Sequence, residues 1–277
     1  MNALAIVNLN DKEIIDVKGL GSKDHSLMSN ALDASDKDNK VNIRSYENLY
    51  GLYQPDTIVT YQANGNTFIV TANEGDAGDG FHDVDERVED LTLDANAFPE
   101  ATTLQTDDQL GRLKVVPYLG RGEDGEYEKL YAFGARSFSI WSSSGDLVFD
   151  SGSDFEKITA GVFGLDFNND EDENEADTRS DAKGPEPEAL SVGRVGERTY
   201  AFIGMERMGG IAMYDITDPY GVQFISYTNN RDLTNIDNGD LAPEGMSFVP
   251  AEESPTGSPL LIVGNEISGT VAIYEIR

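Results

Sequence analysis

The chain of 277 residues carries 51 acidic against 20 basic side chains, a formal net charge of -31, with 39% hydrophobic residues and 12 Phe and 12 Tyr. That composition builds a globular core, and its negative field repels nucleic acid and anionic membrane surfaces, so neither is expected as a partner. The absence of cysteine removes disulfides and thiolate metal sites, and two histidines, His25 and His82, are too few for a zinc centre of the His-rich kind.

The partners the charge attracts are divalent cations. With only oxygen donors available in number, the metal expected is hard, calcium before magnesium. An acid excess is also what a surface adapted to high salt requires, so composition alone does not separate the two explanations. No apolar run reaches the roughly 18 residues of a membrane helix, so no transmembrane segment is expected.

In chain order, "ALAIVNLND" (3–11) and "EIIDV" (13–17) read as strand, turn, strand from the outset, as if the chain opens inside a domain and without an export signal. Next comes "QPDTIVTY", with Pro55 and Asp56, followed by the apolar run "TFIVTA" (67–72) that ends at Glu74. Residues 75–112 form a long acidic insertion, read as a surface loop. "KLYAFGA" (129–135) resembles "TFIVTA" and is followed by Arg136, and "SFSIWSSSG" and "DLVFDSG" continue the series. Residues 164–183 form a second acidic insertion.

Then the pattern repeats. "GPEPEALSVG" carries Glu188, "TYAFIG" (199–204) ends near Glu206, and "GGIAMYDITDP" and "VQFISYT" follow. "APEGMSFVP" carries Glu244, "PLLIVG" (259–264) leads to Glu266, and "GTVAIYEIR" closes the chain. Asp56 to Glu74 and Glu188 to Glu206 are each 18 residues apart, whereas Glu244 to Glu266 is 22, the surplus falling in "EESPTGSP". A repeat of short strands of this kind predicts an all-β fold, a single β-propeller of four-stranded antiparallel blades over residues 1–277. About four to five blades are expected in this scheme, some of them incomplete, with two alternatives for the missing outer strand of the last one: the N-terminus supplies it, or further blades lie outside this sequence.

In a propeller the ends of the inner strands gather about one axis. Asp56, Glu188 and Glu244 then converge, with Glu74, Glu206 and Glu266 beside them, as metal ligands or as acids that tie down each repeated turn. Convergent carboxylates repel unless a cation or a proton joins them. Arg136, Arg179 and Arg207 are the basic neighbours expected to hold an anion. The loop "DFNNDEDENEAD" spaces Asp166, Asn168, Asp170, Asp172, Asn174 and Asp177 somewhat as an EF-hand does, but Glu171 stands where the turn requires Gly. There is no G-x-S-x-G elbow, P-loop, G-x-G-x-x-G or H-E-x-x-H.

The ordered motifs "YQPDTIV", "VTANEGDA", "LGRLKV", "LYAFGARSFSIW", "DTRSDAKGPEPEAL", "YAFIGMERMGGIAMYDITDP" and "APEGMSFVPAEESPTGSPLLIVGNEISGTVAIYEI" resemble the choice-of-anchor I family. That family includes mesenchyme-specific cell-surface glycoproteins of sea urchins and exported bacterial proteins, some described as alkaline phosphatases. The resemblance implies an extracellular or cell-surface propeller associated with calcium through biomineralisation, acting as a binding or structural module. The alternative it implies is a calcium-dependent phosphoesterase, so phosphate esters and surface polymers are the expected partners beyond cations.

Overall fold

A computed structural model describes residues 1–77 and 85–277; His82 lies outside the described residues. The fold is built mainly from antiparallel sheets that stack face to face. Ile58–Ala63, Asn66–Asn73, Ser137–Ser142 and Leu147–Asp150 form one four-stranded meander. Pro187–Val195, Arg198–Met205, Ile211–Asp215 and Gln223–Thr228 form a second. Pro243–Val249, Leu260–Asn265 and Thr270–Glu275 form a three-stranded third sheet, and Ala3–Asn8 with Glu13–Gly19 a hairpin.

Side chains alternate across a strand, so a strand covered on both faces reads as an unbroken apolar run. Arg198–Met205 shows the consequence. Its Ala201, Ile203 and Met205 enter the core shared with Val70, Phe138 and Ile140 of the first sheet. Phe202, facing the other way, joins Leu261 and Val263 and stacks on Phe248 of the third sheet, ring centroids 5.9 Å apart. Trp141 of the first sheet packs with Leu4 and Leu20 of the hairpin and edge-on to Tyr53, and its indole N–H reaches Thr71 Oγ1 at 2.9 Å. The leading strand of the second sheet, Pro187–Val195, lies alongside Pro243–Val249 and near Ile58–Ala63. Stacking therefore gathers the leading strands of three sheets in one place.

Four expectations need correction. "KLYAFGA" does not repeat "TFIVTA" in a sheet of its own kind: Leu130–Ala132 pairs in parallel with Leu49–Leu52, inside a mixed five-stranded sheet. Ser137–Ser142 instead completes the sheet begun at Ile58, its register held by Asn73, whose side chain donates to Ser137 Oγ and Ser139 Oγ. The first insertion therefore runs on to Arg136, and its Val88, Phe98, Leu113 and Leu130 form a second core with Leu32, Tyr46 and Leu49 of the segment before the first sheet. Its two ends meet backbone on backbone, since a Cβ on Gly75 would lie 2.4 Å from Gly134 N.

The N-terminus does not complete the last sheet. Among the described residues Ala3–Asn8 pairs with Glu13–Gly19, and Thr270–Glu275 pairs with Leu260–Asn265. The loop 164–183, an insertion of the kind expected at the surface, is only partly there: Asp166, Asp172, Glu173 and Glu175 are exposed, but Asn168, Asn169, Asp177, Ser180 and Asp181 are buried.

Candidate cation site

The site grows from a backbone device used three times. Gln54, Glu186 and Ala242 each precede a proline and each takes a left-handed conformation, with φ of 41°, 51° and 58°. That conformation is disfavoured for any residue with a Cβ, so the surrounding contacts must hold it. They do so alike in each copy: the carbonyls of Gln54, Glu186 and Ala242 accept the amides of Gly75, Glu206 and Glu266 at 3.2, 2.8 and 2.8 Å. The two later copies also shift register just after Pro187 and Pro243. An irregularity of this kind re-aims the side chain it contains, and here these are Glu188 and Glu244. The Pro-acid step thus places a carboxylate at the start of one strand beside another at the end of its partner.

Two acid triads result. Carboxylate oxygens of Asp56, Glu74 and Glu188 lie within 4.8 Å of one another, and so do those of Glu74, Glu186 and Glu206. Glu74 belongs to both. Burial, then the charges of Glu74, Glu244 and Asp56, push Glu188 up to about 8. Burial, followed by Glu186, Glu188 and Glu74, pushes Glu206 up to about 9. Burial also raises Glu74, although Lys183 opposes it. Glu244 is raised by burial and by Glu266, with which it shares a hydrogen bond. Oε2 of Glu188 is buried and makes no hydrogen bond.

The basic groups are organised by a residue the sequence reading passed over. Glu186 is fully buried and receives Arg179 Nε and Nη2 on Oε1 at 3.0 and 2.5 Å. Its Oε2 lies 2.5 Å from Lys183 Nζ and 3.1 Å from Arg207 Nε. Lys183 also reaches Glu74 Oε1 at 2.5 Å, and Arg207 pairs with Glu171 and with Glu206. Burial lowers the proton affinity of Lys183, but Glu186 and Glu74 outweigh it and hold the ammonium charged. The second triad therefore has its counter-charges built in. The first, at Asp56 and Glu188, has Lys183 only by way of Glu74.

Arg136 stands apart, buried beneath this layer. It pairs with Glu156 Oε1 at 2.6 Å and donates to the carbonyls of Asp33, Ser180 and Ala182. Arg179, Lys183 and Arg207 instead line a cavity of about 180 Å³, together with Lys114, Asp76 and Asp85. The doublet in "GPEPEAL" was the available signal for Glu186: of two glutamates flanking one proline, the first enters the interior.

The EF-hand-like loop is closed by an arginine. Arg231 Nη2 donates to the carbonyls of Asp170 and Glu173, each at 2.5 Å, and to Asn169 Oδ1 and Asn174 Oδ1 at 3.2 and 3.1 Å. Asp170 turns its carboxylate toward Arg179 and Arg207, while Asp166 and Asp172 are exposed. Carboxylate oxygens of Asp170, Glu171 and Asp172 still lie within 4.8 Å of one another, but a guanidinium takes the loop's carbonyls and Asp166 stays exposed, so the six spaced positions do not close into one EF-hand-like ring of ligands.

Two known proteins are similar to the chain. Gigasin-3a of Magallana gigas is 34% identical over 191 residues, which cover 63% of this chain and 67% of that protein. The Mesenchyme-specific cell surface glycoprotein of Strongylocentrotus purpuratus is 27% identical over 242 residues, 73% of this chain but 30% of its own length. The match thus spans about two thirds of one relative and under a third of the other. The family model of the Choice-of-anchor I domain matches residues 1–219, from the hairpin through the third strand of the second sheet. The chain belongs to the choice-of-anchor I domain family.

Proposed function

We propose that this chain is an extracellular or cell-surface binding module of propeller type that holds calcium on Asp56, Glu74 and Glu188. The observation that carries the reading is the convergence of these three carboxylates within 4.8 Å, with Glu188 Oε2 buried and unbonded. That spacing is about twice a calcium–oxygen bond of roughly 2.4 Å, and the donors are all hard oxygens, so the residues fit the ion. Glu244 and Glu266 add negative charge at the rim. A calcium ion held at such a rim keeps coordination positions open to acidic groups of surface polymers, which is how the module would bind. The surface setting is supported by the name of the Strongylocentrotus purpuratus relative, a cell surface glycoprotein. Among the described residues no helix is long and apolar enough to cross a membrane. Calorimetric titration with calcium in high monovalent salt tests the site: Glu188→Gln is expected to weaken binding about tenfold or more, and equal affinity in the two proteins would remove the site.

A second reading, a calcium-dependent phosphoesterase, is favoured by the cavity that Arg179, Lys183 and Arg207 line next to the acids. These cations already face Glu186, Glu74, Glu206 and Asp170, which sets them against an incoming phosphate and ranks this reading second. Hydrolysis of a generic phosphomonoester with calcium, lost on chelation and in Glu188→Gln/Glu244→Gln, would put it first.

A further inference from the structure

Away from this rim, the interior holds a second group of acids that the repeat does not explain. Asp33 and Glu156 are at most 1% exposed and Asp177 is 7% exposed, while the side chain of Asp38 is 1% exposed. Against these four carboxylates stands one buried guanidinium, Arg136, which spends its pairing on Glu156. Lys40 approaches Asp38 Oδ2 only to 3.7 Å, from a half-exposed position. Buried charge of one sign is costly unless it is neutralised by a proton or a cation.

Two buried oxygens in this region lack a partner. Asn168 Nδ2 donates to Glu156 Oε1 at 3.1 Å and to Ser180 Oγ at 2.8 Å, and Ser180 Oγ in turn donates to Asp177 Oδ1 at 2.5 Å. Asn168 and Asp177 therefore hang from one hydroxyl. The remaining oxygen of each, Asn168 Oδ1 and Asp177 Oδ2, is buried and has no hydrogen-bond partner. Both residues adopt left-handed backbone, φ 45° and 66°, in a turn fixed by the amide of Asp177 on the Phe167 carbonyl and that of Arg179 on the Asn168 carbonyl. Asp33, Asp38 and Glu156 lie close enough for their charges to act on Asp177, whose carboxyl is held up at about 8, by burial first and by them second.

We propose that Asn168 and Asp177 ligate a buried calcium ion through these two unpartnered oxygens, with Asp33, Asp38 and Glu156 balancing its charge. The site shares no residue with the rim triad. Its ion would tie the loop 166–180 to the segment 33–38, two stretches far apart in sequence. Calcium suits it better than magnesium, because it accepts mixed carboxylate and amide oxygens in irregular geometry and gives up its water more readily.

The test uses the full chain, stripped with chelator, with the rim silenced by Asp56→Asn/Glu188→Gln, and calcium alone as the probe. Equilibrium dialysis is expected to find about one calcium per chain in this background, with a melting temperature raised by several degrees. Adding Asp177→Asn removes both effects. No bound calcium in the silenced chain, or binding that survives Asp177→Asn, overturns the proposal. Should Asp177→Asn fail to fold, hydrogen exchange on the unsubstituted chain decides. Calcium should slow the amides of Asp177 and Arg179 about tenfold or more, and unchanged exchange there overturns the site whatever happens at the rim.

Discussion

Arg231 lies with Nη2 2.5 Å from the carbonyl oxygen of Asp170, across 61 residues of chain, and its Nη1 caps the carbonyl of Arg207 at 2.8 Å. One guanidinium thus ties the loop after the helix Asp154–Phe163 to the turn that carries Arg207. Arg231→Met would leave several of these acceptors without a donor. It is expected to cost about 3 kcal/mol in urea unfolding, and a loss below about 1 kcal/mol would mean that the loop holds its shape without this arginine.

The rim acids set a pH dependence. Glu188 and Glu206 are raised from an ordinary value of 4.5 to about 8 and about 9, so the folded chain keeps protons that the unfolded chain releases above about pH 4.5. Their contribution to stability is fully present below that pH and is lost as the pH rises through 8 and 9. Asp33 and Asp177, raised to about 7 and about 8, act in the same sense. In chelator the melting temperature should therefore fall steadily from pH 5 to pH 9. Saturating calcium should flatten the profile, since the ion replaces the protons. A level profile in chelator would contradict the picture of uncompensated carboxylates.

Arg136 and Glu156 form a buried pair at 2.6 Å. Removing one member of such a pair strands the other charge away from water, at a cost of about 3–5 kcal/mol. Arg136→Met is expected to fall in that range by denaturant unfolding, and Arg136→Met/Glu156→Gln to recover part of it. Equal stability of the single and double variants would show that Glu156 finds another partner.

Gly193 admits the ring of Phe248 between the second and third sheets, and a Cβ there would sit 2.3 Å from the ring carbons. Gly193→Val should destabilise by about 1–3 kcal/mol or more through overpacking. Phe248→Ala in the same chain should reduce the penalty, and a double-mutant cycle measures the coupling. Additive losses would mean that the sheets part elsewhere.

The strands were legible because their signal is local. "TFIVTA", "TYAFIG" and "PLLIVG" are unbroken apolar runs, and each is the strand Asn66–Asn73, Arg198–Met205 or Leu260–Asn265 of a stacked sheet. "KLYAFGA" has the same local character but pairs elsewhere, because which edge it meets depends on Asn73 finding Ser137 and Ser139 across the insertion. The acids at the strand ends were legible as a repeat, and the structure brings Asp56, Glu74 and Glu188 together.

The sequence by itself determined the apolar runs, the Pro-acid steps and the excess of negative charge. All three are properties of neighbours along the chain. Only the tertiary structure decided which acids already have a cation. Glu186 and Glu188 sit two residues apart with the same chemistry, yet Glu186 takes Arg179, Lys183 and Arg207, while Glu188 faces the carboxylates of Asp56 and Glu74. Charge pairing acts over a few ångströms of space, and the turn at Pro187 sends the two side chains to different sides of that distance.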